Sequence, residues 1–155
     1  MTSPESVLLL ARSQLWVREQ GGDNRGQVVE HFLATVGLAP GQPWCAAFVS
    51  WVGQNALARW PLPMTGSCQA LFLAATRLNI ARKWPTPGAV FLLWKPSLNR
   101  FAHTGLLVSQ QANSWVTVEG NTNPAGGREG YGVFERTRTF AAEDRFIHWL
   151  DAIGA

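Results

Sequence analysis

The sequence predicts an α+β fold in which helices from the first half pack on an antiparallel sheet of about five strands from the second half. Three observations carry this expectation. Apolar residues recur at helical spacing as far as Leu78. After Pro85-Thr86-Pro87-Gly88 the period changes to short continuous or alternating apolar runs, which read as strands. The connections between those runs are short, and helices followed by strands is the order of a segregated α+β fold. At 155 residues the chain is long enough for one domain, residues 1–155, with a real core. No repeat, low-complexity tract or linker divides it.

Ser3-Pro4-Glu5 reads as a helix start, with a capping hydroxyl, proline at the first helical position and an acid in the first turn. Leu8, Ala11, Leu15 and Trp16 form its inward face, and Gly21-Gly22 stops it. The polar, glycine-rich stretch from Glu19 to Gly26 is either an interhelix turn or a loop that approaches something closely. Val28, Val29, Phe32, Leu33 and Val36 make a second amphipathic helix, closed by Gly37. A third helix begins near Trp44, runs towards Trp60 and ends at Pro61-Leu62-Pro63. Ser67 caps a fourth, with Ala70, Leu71, Ala74 and Leu78 inward. The strands follow as Ala89–Trp94, His103–Val108, Trp115–Glu119, Gly132–Arg138 and Phe146–Leu150.

Apolar residues make up 46% and charged residues 15%, which excludes a disordered chain. A net charge of +3 and a pI near 9.4 suit a polyanionic partner. The basic residues are scattered without a Lys/Arg block, which argues against nucleic acid as that partner. No apolar run approaches the ~20 residues of a membrane span. Val7-Leu8-Leu9-Leu10 lacks a basic flank before it and a cleavage site after it, so no signal peptide is expected. Eight tryptophans are many for this length. Trp44, Trp51, Trp94 and Trp115 are expected to divide between the core and a binding groove.

Cys45 sits where a proline-bearing loop, Gln42-Pro43-Trp44, enters the third helix. Cys45, Phe48, Val49, Val52 and Ala56 share one helical face, so the thiol is expected at the buried N-terminal end of a core helix. Unpaired N–H groups and the macrodipole there lower a thiol's pKa toward the nucleophilic thiolate. His103 opens the second strand and Glu119 closes the third; antiparallel pairing makes them neighbours at one edge of the sheet. Together the three form a nucleophile, base and orienter set. The Cys45 N–H is one oxyanion donor, and Gln42, Asn24 and the Trp44 indole are candidates for the second. Cys68 is read as a buried small hydrophobe, although a disulfide to Cys45 stays open. Neither cysteine has metal-site spacing, and Asp23 with Asn24 supply too few ligands for calcium, so no metal or cofactor is expected. His31 and His148 are read as structural.

Four ordered stretches resemble the successive motifs of CHAP domains, the cysteine, histidine-dependent amidohydrolases/peptidases. They are Pro43-Trp44-Cys45-Ala46-Ala47-Phe48-Val49, Pro87-Gly88-Ala89-Val90-Phe91, Ala102-His103-Thr104-Gly105-Leu106-Leu107 and Val118-Glu119-Gly120-Asn121-Thr122-Asn123. The resemblance spans almost the whole chain and implies a papain-like fold. It also implies cleavage of peptidoglycan, at the amide joining sugar to peptide or within the stem peptide and cross-bridge. Carried over, the nucleophile is Cys45, the base His103 and the third residue Glu119, with Asn121 at a site-lining position. The chain departs from the family at Ala89, where aspartate is common, at Ala102, where glycine is common, and at Trp44, where glutamine often stands.

Peptidoglycan is therefore the expected partner. A cysteine amidase or transpeptidase acting on another substrate, and a catalytically silent wall-binding module, are the alternatives. Without a signal peptide or wall-binding repeat, the expected route to the periplasm or cell wall is non-classical. Phage lysis and effector delivery both fit, and an effector would bring an immunity protein as a second partner.

Overall fold

The computed structural model describes residues 1–125 and 130–155. Four helices come first: α1 (Ser3–Arg12), α2 (Gln27–Thr35), α3 (Cys45–Leu57) and α4 (Cys68–Arg77). Six strands follow: β1 (Ala81–Arg82), β2 (Val90–Lys95), β3 (Arg100–Gln111), β4 (Ser114–Thr122), β5 (Gly132–Arg138) and β6 (Arg145–Ile147). A short α5 (Trp149–Ala152) closes the chain. The strands form one antiparallel sheet in the order β1-β6-β2-β3-β4-β5. The α+β class and the helix-on-sheet arrangement are as the sequence predicts.

Strand alternation separates two apolar layers. Val90, Leu92, Leu106, Val108 and Val118 join Phe32, Phe48, Val49 and Leu71 of the helices in the main core. Ala89, Phe91, Leu107, Trp115 and Phe146 form a smaller cluster on the other face. The third helix is not simply amphipathic. Cys45 through Ser50, then Val52 and Gly53, are all buried, because α3 is wrapped by α1, α2 and the β3–β4 part of the sheet. Gly53 has to be glycine, since a Cβ there would lie 2.1 Å from the Trp60 ring.

Several local expectations are corrected. The α1 cap is Thr2, not Ser3: Thr2 and Glu5 form a reciprocal capping box. That helix ends at Arg12, well before the glycines, and Trp16 is 66% exposed. Leu78 lies just past α4 and is exposed. The third helix stops at Leu57 with Ala58 left-handed at φ 51°, three residues before the first proline. The Phe146–Leu150 run divides into the end of β6 and the start of α5. The sixth strand, β1, is two residues pairing with β6 at the sheet edge, too short to leave a periodic pattern. Among the described residues no helix is long and apolar enough to cross a membrane.

Candidate active site

The register explains how the polar centre is assembled. Leu106 pairs with Val118, which sets Glu119 opposite Gly105 and places His103 two residues further along the same face of β3. Gly105 is what admits the carboxylate: a Cβ there would stand 2.7 Å from Glu119 Cγ and 2.7 Å from Phe91 Cε1. The next residue, Gly120, faces the other way, toward α3. A Cβ on it would lie 2.8 Å from Phe48 Cβ and 2.9 Å from the Trp44 ring. Two adjacent positions of β4 thus do separate jobs. One seats the acid and the other lets the helix that carries Cys45 approach the sheet.

Glu119 is fully buried and accepts four hydrogen bonds. His103 Nε2 lies 2.7 Å from Oε1, and Arg138 Nη2 donates to the same oxygen at 2.7 Å. Arg138 Nε and Thr117 Oγ1 donate to Oε2 at 2.5 and 2.6 Å. Burial alone would raise this carboxyl. The Arg138 fork and the His103 ring outweigh it and hold the group down at about 2. Glu119 is therefore an anion that fixes the His103 tautomer and favours its protonated form.

With Nε2 on Glu119, the other ring nitrogen, Nδ1, is the one left for the sulfur. Cys45 at the N-terminal tip of α3 and His103 near the start of β3 line the same cleft. Burial opposes charge on His103. Its bonds to the Cys45 sulfur and to Glu119 prevail, and the imidazole is raised to about 9. Cys45 is pushed well below an ordinary thiol. A hydrogen bond from Cys68 is the largest cause, followed, against the penalty of burial, by His103 and the Ala46 N–H at the helix start. Both shifts run in the direction that favours a thiolate–imidazolium pair over two neutral groups. Cys45 and Cys68 are free thiols with sulfurs 3.9 Å apart.

The cleft has a volume of about 580 Å³. One wall is Asp23, Asn24 and Pro43 from the loops ahead of α2 and α3. Leu93, Trp94 and Lys95, then Pro96 and Leu98 of the 3-10 turn Pro96–Leu98, and Arg100 also line the cleft. Asn121, Thr122, Gly130 and Arg138 close the far end. The loop from Glu19 to Gly26 thus contributes Asp23 and Asn24 to the cleft lining.

The structure brings Cys45, His103 and Glu119 together and sets Asn121 and Asn24 in the cleft. Asn121 adopts φ 53° at an irregularity of the β4–β5 pairing, a conformation asparagine tolerates. The Asn24 amide donates to Gly41 O at 3.3 Å. Two expectations are corrected. Trp44 does not line the cleft: it is completely buried against Phe32, and its indole N–H donates to Glu19 Oε1 at 2.9 Å, which leaves no donor for an oxyanion. Gln42 is exposed on the loop and lies outside the cleft lining, to which its neighbour Pro43 contributes instead. Trp94 is the tryptophan that lines the cleft. Sequence reasoning missed Arg138 and Thr117. Their signal is the alternation of β4 and β5, which sets both on the Glu119 face. Among the described residues no group of three or more His, Cys, Asp or Glu is arranged to hold a metal ion.

No family model and no curated protein matches this chain. Among solved structures it is similar to the crystal structure of Ly7917, with a TM-score of 0.50 and 15% sequence identity over 94% of this chain and 62% of that one. The crystal structure of Ly7917 with the hydrolyzing product of MDP gives a TM-score of 0.49 and 14% identity over 93% and 62% of the two chains. At these identities the likeness is one of fold. The chain spans 62% of the length of the Ly7917 chains.

Proposed function

We propose that this chain is a thiol-dependent hydrolase of peptidoglycan that cuts an amide bond, either the one joining sugar to peptide or one within the stem peptide and cross-bridge. The observation that carries the reading is that Cys45 and His103 line one open cleft, with His103 bonded to a buried Glu119 carboxylate. The substrate class rests on the ordered CHAP-like motifs, three of which contribute residues to this cleft, and on the positive charge of the chain.

In this mechanism the Cys45 thiolate attacks the amide carbon, and the new C–S bond pushes the carbonyl electrons onto oxygen. The Cys45 N–H, a first-turn donor with no acceptor inside its own helix, faces that developing charge. The His103 imidazolium then gives its proton to the leaving nitrogen as the C–N bond breaks, which leaves a thioester and a neutral imidazole. Neutral His103 takes a proton from water, the hydroxide attacks the thioester, and the thiolate leaves with the imidazolium restored. Glu119 and Arg138 keep the ring in one tautomer throughout. Acting on a wall, the protein would work in the periplasm or cell wall, and an effector of this kind would be matched by an immunity protein.

The test is digestion of purified sacculi, followed by mass spectrometry of the released fragments. The native protein should release soluble fragments bearing one new amine and one new carboxyl end, and folded Cys45→Ala should release none. Intact sacculi after treatment with native protein, or products in which a new amide has formed, would overturn the reading in favour of another acyl chemistry.

A further inference from the structure

The catalytic account uses Cys45, His103, Glu119 and Arg138 but assigns nothing to the second cysteine. Cys68 is the first residue of α4, capped by Ser67, whose hydroxyl accepts from the Ala70 N–H at 3.1 Å. It is 4% exposed, and its sulfur stands 3.9 Å from that of Cys45, which is 6% exposed. Two helices thus end tip to tip on a pair of free thiols.

We propose that Cys68 is a positioning residue for the nucleophile, donating its S–H to the Cys45 sulfur and so keeping the negative charge on the sulfur that faces the cleft. The proposal rests on Cys45 being the nucleophile. Two buried thiols this close cannot both ionise, because the second anion would meet the first in a poor solvent for charge. The surroundings decide which one does. Cys45 has the His103 ring from β3 and the Ala46 N–H of its own helix beside it, with Glu119 from β4 and Arg138 from β5 behind the ring. Lys95 at the end of β2 and Asp23 line the same cleft. Cys68 has one favourable charge, Arg100 at the start of β3, set against burial and the neighbouring Cys45 anion. The charge goes to Cys45, and Cys68 is pushed well above an ordinary thiol by its bond to Cys45 and by burial. Cys68 keeps its proton, and the Cys45 sulfur is the acceptor within reach.

A hydroxyl in place of the thiol preserves a donor and a methyl removes it, so the comparison of Cys68→Ser with Cys68→Ala is the decisive one. The measurement is the pH dependence of iodoacetamide alkylation at Cys45, read peptide by peptide under reducing conditions, with no substrate present. In Cys68→Ala the midpoint should rise by about one pH unit, which is about tenfold less thiolate below the midpoint. In Cys68→Ser it should stay near the native value. Unchanged midpoints in folded Cys68→Ala, or equal shifts in both variants, would overturn the proposal. In the native protein Cys45 should alkylate at neutral pH while Cys68 remains protected, and earlier reaction of Cys68 would also overturn it, whether or not the alanine variant folds. A native Cys45 that reacts only as an ordinary thiol would instead count against the thiolate mechanism itself, so the two failures are distinguishable.

Discussion

With four donors aimed at it and no exposure to solvent, the Glu119 carboxylate ties β4, Arg138 of β5 and the His103 ring of β3 into one unit. Its pKa is held down, so its contribution to stability is complete above its ordinary value of 4.5 and is lost as pH falls through about 2. Arg138→Ala leaves this charge buried without its fork and should cost about 3–5 kcal/mol. Thermal melts of the native and variant proteins should differ most near pH 6 and converge only as pH falls to about 2, where the native carboxyl is protonated as well. An equal gap at both pH values would contradict the electrostatic role. His103 behaves in the opposite sense. Its pKa is raised from 6.5 to about 9, so its ion pair stabilises fully below about 6.5 and is lost as pH rises through about 9. The kcat/KM for wall fragments should fall on the alkaline side with a midpoint near 9, because the leaving nitrogen then finds no proton. At this scale the meeting of Cys45, His103 and Glu119 was legible in the sequence from their combination, a helix start and two antiparallel strand ends, and not from any one of them alone. Arg138 and Thr117 were not. An arginine near the end of a strand is ordinary in sequence, and its role depends on a long side chain reaching across to the neighbouring strand.

Among the elements, α3 and β4 decide the geometry. Gly120 allows Phe48 to sit directly on β4, and so sets how far the tip of α3 lies from the His103 ring. Gly120→Ala should lose about 1–3 kcal/mol of stability through overpacking and should also lose activity by displacing Cys45. A variant with full activity and an unchanged melting temperature would show that α3 is not fixed by this contact. The long helices were readable because their apolar period is sustained over two or more turns. Their ends were less so. Ala58 takes a left-handed turn without glycine or asparagine to announce it, and Thr2 rather than Ser3 wins the cap because only Thr2 has Glu5 at the spacing the box needs. The edge strand β1 owes its existence to pairing with β6, more than sixty residues away, and no local pattern encodes such a partner.

For the molecule as a whole, the sheet order brings to one cleft segments spread from Asp23 to Arg138. Its lining carries Asp23, Lys95 and Arg100. A net charge of +3 would favour encounter with the polyanionic wall proposed as the substrate. Activity on sacculi should therefore fall as salt is raised, while activity on small soluble muropeptides should change little, since screening acts on the long-range field rather than on contacts inside the cleft. Equal salt dependence on both substrates would remove charge from the account of wall binding. The central claim remains that an acyl group passes through the Cys45 sulfur. The measurement that tests it most directly is the mass of the Cys45 peptide after enzyme mixed with soluble muropeptide is quenched in acid. The account predicts a transient adduct of the acyl fragment on Cys45, and neither adduct nor turnover in folded Cys45→Ala. Turnover at the native rate in that variant would contradict it.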